Sequence, residues 1–232
     1  MIKSTLITLF VIIVTTSFGQ LNYPTSDSIH IFWRPGVTLT YTDFKGDTVG
    51  GKYKDNYKKL DIQAMAYVGI YSILDVPKKK KDRGMKLEKV YIAPAFDKTA
   101  SYTITHDTTQ IAMQQAYFDI AEIWARWARQ QLSMYQDTMK GYGALFSIYS
   151  TVMKNARYGQ QQMNEAYTKD IFIDKKTGAF EKWRNTIANR LNETTSWATK
   201  PEDCYRFITN MPIETDYEQS PTVLGALPDK IK

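Results

Sequence analysis

Chemistry could reside at a handful of positions in this chain. Asp119 and Glu122 stand three apart within FDIAEIWAR, residues 118–126; His30 and His106 are the only two histidines, and Cys204 is the only cysteine. Carboxylates that work as a catalytic pair normally face each other across a cleft rather than stack on one helix. The spacing therefore favours an ion pair of Glu122 with Arg126, four residues on, and a structural hydrogen bond for Asp119. A zinc set made of Glu122, His106 and His30 would be a rebuilt site drawn from three distant segments. His106, beside Asp107, reads instead as the neighbour of a helix cap, and His30 as an exposed or strand-edge residue. Cys204 lies in the polar stretch PEDCYRF and reads as a plain semi-buried cysteine; with one cysteine there is no internal disulfide. There is no GxSxG, P-loop or Rossmann glycine pattern, so the catalytic set is empty, and no cofactor is expected.

The elements that must hold these residues follow from periodicity. Asp107-x-x-Gln110 is a capping-box pattern, and nothing breaks a helix from there to about Tyr135. Phe118, Ala121, Ala125, Ala128 and Leu132 form one apolar stripe, with Ile120, Trp124, Trp127 and Gln131 beside it, so this helix is largely buried. Leu145, Ile148, Val152, Ala156 and Met163 predict a second helix to about Tyr167. Phe180, Trp183, Ile187 and Leu191 predict a third after DKKTG. Upstream, QAMAYVGIYSILDV (63–76) and MKLEKVYIAPAF (85–96) read as the arms of a long hairpin around the basic turn PKKKKDRG. In the first arm Gly69 marks a bulge. VTLTYT, from Val37, alternates like a strand, and residues 47–60 read as a loop. Beyond Trp197 the chain reads as irregular and its last ten residues as loosely held. Strands first and helices after them give an α+β fold: an N-terminal antiparallel sheet with a long hairpin, then about three α-helices.

The chain opens MIKSTLITLFVIIVTTSFGQ, with one lysine, a short apolar run and small residues before Gln20. This is the pattern of a secretory signal over residues 1–19; the run is too short to span a bilayer. Lys3 is the only charged residue of that segment, so its removal takes the net charge from +6 to +5. In an exported protein a mildly basic surface meets envelope polymers or head groups rather than nucleic acid. Residues 20–232 are expected to form a single domain in the periplasm or outside the cell.

A family resemblance rests on an ordered set of motifs. Trp33, LTYTDFKG at 39–46, AMAYVGI at 64–70, APAFDKTASY at 93–102 and FDIAEIWAR at 118–126 are similar, in the same order, to those of a bacterial group of predicted secreted zinc-dependent proteases, whose helix reads HEQxHFDIAExYAR. The resemblance implies a metalloprotease-like domain with a zincin-like helix over 107–135. Aligned on FDIAE, the first histidine of HExxH falls on Met113, the glutamate on Gln114 and the second histidine on Tyr117. That motif needs two imidazoles one helical turn apart on one zinc and a carboxylate to take a proton from bound water. Methionine, glutamine and tyrosine supply none of this. The expectation is an exported pseudoenzyme with no metal ligands, whose vestigial cleft, lined by Met113, Gln114, Tyr117 and Glu122, binds a peptide or envelope polymer. The alternatives are an active metal-dependent hydrolase with a rebuilt site and a structural envelope protein.

Overall fold

The structure is a computed structural model that describes residues 23–46 and 63–228. The expected signal segment, the expected loop at 47–60 and the last four residues lie outside the described residues. The fold is α+β. Strands β1 (His30–Phe32), β2 (Ala64–Pro77), β3 (Lys89–Thr103) and β4 (Tyr217–Gln219) form an antiparallel sheet in the order β1-β3-β2-β4. Helices α1 (Thr108–Met139), α2 (Ala144–Thr168), α3 (Ala179–Glu193) and α4 (Pro201–Thr209) follow β3.

The long hairpin is present, and both of its faces are covered, which is why its arms carry so many apolar residues. Ile70, Leu74 and Ile92 face α1 and α2 and pack with Ala121, Ala125, Ala128 and Leu132. Ile73, Ala93 and Ala95 face the other way, against Cys204 and Phe207 of α4. Helix α1 packs on β2, β3, α2 and α3 together. Its expected stripe is buried throughout: Phe118, Ala121, Ala125 and Ala128 have no exposure and Leu132 almost none.

Four local expectations are corrected. First, the register shift in β2 lies between Met65 and Tyr67, while Gly69 pairs regularly with Ala95. A bulge leaves N–H groups without ladder partners. Here Ser101 Oγ accepts from Tyr67 N at 2.8 Å and Gln114 Oε1 accepts from Ala66 N at 2.9 Å. Second, VTLTYT is not a strand. Leu39 N donates to Gln115 Oε1 at 2.9 Å and Gln115 Nε2 donates to the Val37 carbonyl at 3.4 Å, so a side-chain amide stands where a neighbouring strand would. Tyr41–Asp43 then forms a 3-10 turn. Third, Asp107 caps α1 by accepting from Thr109 N at 2.8 Å, but the Gln110 half of the box is not made, and Gln110 Oε1 has no partner among the described residues. Fourth, the chain beyond Trp197 is ordered as a fourth helix. Pro201 fits the first turn, where no N–H is needed, and its nine residues are too few for periodicity to reveal. Of the last ten residues, expected to be loosely held, the described ones at 223–228 are docked: Val223 is buried and Ala226 bridges to Ser72, just after β4 pairs with β2.

One glycine permits the main helix pair. A Cβ on Gly159 of α2 would stand 2.4 Å from the Trp124 ring of α1. Gly159→Ala should therefore destabilise by about 1–2 kcal/mol, because the clash outweighs the roughly 1 kcal/mol of helix propensity gained. Phe118→Ala, in a site with no exposure, should cost about 3–5 kcal/mol. Denaturant melts check both; a gain for Gly159→Ala or a loss below about 1 kcal/mol for Phe118→Ala would contradict this packing.

Candidate functional site

Met113, Gln114 and Tyr117 of α1 do scaffold work. Gln114 is 2% exposed and satisfies the β2 bulge. Tyr117 and Met113, one turn apart, face the end of α2 and α3 and pack with Tyr167 and Trp183. Tyr167 donates its hydroxyl to the Met113 carbonyl at 2.9 Å. The Tyr117 hydroxyl meets Thr168 Oγ1 at 2.7 Å. Thr168 already gives its proton to the Asn164 carbonyl, so the tyrosine is the donor. Burial pushes the Tyr167 phenol far above its usual range.

Glu122 is withdrawn from solvent altogether. Its carboxylate accepts from Arg126 Nε at 2.8 Å, Thr199 N at 2.8 Å and Thr199 Oγ1 at 2.6 Å, with Arg129 3.5 Å away. The expected Glu122–Arg126 pair is therefore present, buried rather than on a surface. The cleft expected from Met113, Gln114, Tyr117 and Glu122 is corrected accordingly. Gln114 points into the sheet, Glu122 into the turn before α4, and Met113 and Tyr117 into the contact with α2.

The two histidines and Glu122 are not brought together. His30 sits on edge strand β1 as expected, but it is buried beside the Phe32 and Tyr71 rings. His106 is exposed before α1, stacked on Tyr41 at 4.3 Å. Glu122 lies fifteen residues past the Asp107 cap, roughly 22 Å along the helix. Among the described residues no group of three His, Cys, Asp or Glu is close enough to hold a metal ion. Cys204 is fully rather than partly buried; its Sγ lies 3.6 Å from the Lys200 carbonyl, and burial pushes its thiol well above the usual range.

An open site does exist on a neighbouring face of α1. A groove of about 910 Å³ runs between residues 38–41, the first half of α1 and α3. Ile111, Ala112 and Ala116 of α1 and Phe180, Ile187 and Leu191 of α3 form apolar walls; Thr38, Thr40, Tyr41 and His106 form a polar rim. Asp119 lies in the lining. Its Oδ1 accepts from Trp33 Nε1 at 2.8 Å and from Gln115 Nε2 at 3.0 Å, as its expected structural role required. Its Oδ2 accepts nothing from the described residues. Burial raises the pKa of this carboxyl above its usual value, and the Trp33 and Gln115 bonds oppose that rise. Sequence reasoning missed the groove because its outer wall is placed by the Gln115 bonds to residues 37–39. The readable signal was Ala112, Gln115, Ala116 and Asp119 on one helical face, with small residues leaving room beside two polar ones.

Compared with models of known families, with curated proteins and with solved structures, the chain matches none. The residues themselves must carry any functional reading.

Asp203 gives the buried charges a pH signature. It caps α4 by accepting from Lys200 N at 3.0 Å. Burial raises its carboxyl from the ordinary 3.8 to about 6, with Arg129 opposing and Glu122 adding to the rise. The folded chain then holds more protons than the unfolded one between about pH 4 and about pH 6. Over that window Asp203 subtracts stability as pH rises, and above it the loss is constant. Asp203→Asn keeps the cap acceptor and removes the titration. The melting temperature of Asp203→Asn relative to wild type should therefore climb across this window; a difference that stays flat would contradict it.

Proposed function

We propose that this is an exported, non-catalytic relative of the secreted zinc-dependent proteases that binds peptides in the groove between residues 38–41, α1 and α3. The observation that carries the reading is the division of labour on α1. Gln114 completes a β-bulge and Tyr117 bonds across to α2, while the adjacent face keeps an open groove with one unengaged carboxylate oxygen. Positions that a hydrolase would devote to zinc and water are spent on folding. Export is supported by the apolar run and small residues before Gln20; an amino terminus at or near Gln20, found by mass spectrometry, is its check.

A peptide suits the groove on chemical grounds. The walls take apolar side chains, and the rim hydroxyls suit main-chain amides. Asp119 Oδ2, in a setting of low polarity, calls for a donor, and an amino-terminal ammonium is the strongest available. A hydrogen bond to a charged group contributes roughly 1.5–3 kcal/mol, equivalent to about tenfold or more in affinity.

The test is an NMR titration of the labelled protein with leucyl-dialanine, with its amino group free and acetylated. The free peptide should shift the amides of Leu39, Ala112 and Gln115 and bind about tenfold more tightly than the acetylated one. Asp119→Asn preserves an oxygen for Trp33 and Gln115 and should erase that difference. Shifts confined to other surfaces, or no saturable binding by either peptide, would defeat the groove reading.

A further inference from the structure

We propose that the tip of the β2–β3 hairpin docks the protein onto an anionic lipid surface. The tip runs from Lys78 to Glu88 and is held as a 3-10 turn over Lys80–Gly84. It is rich in bases, yet the arrangement of their partners is uneven. Lys86 pairs with Asp216, Lys89 at the base of the hairpin with Glu214, and Arg83 with Glu218 at 3.7 Å. Lys78 Nζ donates to the Thr215 carbonyl at 2.7 Å. These contacts fasten the tip to the segment around β4. Arg83 also donates to the Pro77 carbonyl at 3.0 Å and lies over the Tyr142 ring, tying the tip to the α1–α2 connection.

Every acid of the β4 segment is thus committed, and Lys79, Lys80 and Lys81 remain exposed with no ion pair among the described residues. Beside them Met85 is 83% exposed, and Leu87 is exposed too. A tip that offers three unpaired ammonium groups against the single carboxylate of Asp82, with projecting apolar side chains, matches an interface with anionic head groups over acyl chains. A soluble polyanion would meet the lysines equally well but would gain little from Met85 and Leu87, so the apolar pair selects the lipid. The net charge of +5 on the chain from Gln20 onward favours approach from a distance. This inference is independent of the groove, which lies between α1, α3 and residues 38–41.

Flotation with vesicles of phosphatidylcholine, with and without phosphatidylglycerol, tests it. The mature chain expected from Gln20 onward, free of the apolar run at residues 6–14, should float only with the phosphatidylglycerol vesicles. Near an anionic surface each lysine contributes about 1 kcal/mol, or roughly fivefold. Changing Lys79, Lys80 and Lys81 together to Gln should therefore weaken binding about a hundredfold. Changing Lys154, Lys175 and Lys182 to Gln alters net charge equally at exposed positions elsewhere and should have little effect. Met85→Ser should weaken binding several-fold. Equal flotation with neutral vesicles, or equal losses from the two triple variants, would overturn the proposal. So would an unchanged Met85→Ser variant whose vesicle binding is displaced by polyphosphate, which would make the tip a site for soluble polyanions.

Discussion

A carboxylate with no exposure sits in the middle of α1, and the end of α3, the turn before α4 and β3 are tied to it. Glu122 accepts from Arg126, from the Thr199 backbone and from the Thr199 hydroxyl. Arg126 continues to the Leu191 carbonyl at the end of α3. Arg129 reaches the Trp197 and Ile92 carbonyls and the Thr199 hydroxyl. One negative charge thereby joins α1 to the end of α3, to the turn before α4 and to β3. A buried charge is tolerated only when its partners are complete, and removing one partner typically costs about 3–5 kcal/mol. That constraint fixes which side of α1 faces the turn, and so which side is left for the groove.

Gln114, Gln115 and Asp119 of α1 meet the same requirement that buried polar groups find partners, whereas Gln110 Oε1 and Trp124 Nε1 have none among the described residues. The consecutive glutamines face different neighbours. Gln114 takes the N–H that the β2 bulge frees, and Gln115 pairs with residues 37–39 as a strand edge would. Asp119 then orients both Gln115 and Trp33. Gln114, Gln115 and the first oxygen of Asp119 are therefore structural. The second oxygen of Asp119, in the lining of the groove, has no partner among the described residues and is left over for a ligand.

Much of this was legible from residue order. The apolar stripe of α1, the hairpin arms and the i, i+4 pair of Glu122 with Arg126 are local patterns, and they survive intact. What was not legible depends on partners far along the chain. VTLTYT alternates as a strand does, but Gln115, 76 residues from Leu39, supplies the hydrogen bonds a strand would need. The bulge was assigned to Gly69 because glycine tolerates irregular backbone; it formed at Met65–Tyr67, where Ser101 and Gln114 could pay for the freed N–H groups. His30 keeps its expected strand-edge place but is buried beside the rings of Phe32 and of Tyr71, the latter from β2. The groove has no motif at all, being a space between three segments.

The central claim is that α1 serves as a scaffold and that Met113, Gln114 and Tyr117 hold the fold. Elemental analysis of the protein, purified without chelators and dialysed, addresses it most directly. The account predicts no stoichiometric zinc. One zinc per chain that survives dialysis and is lost on His106→Ala or Glu122→Gln would contradict it.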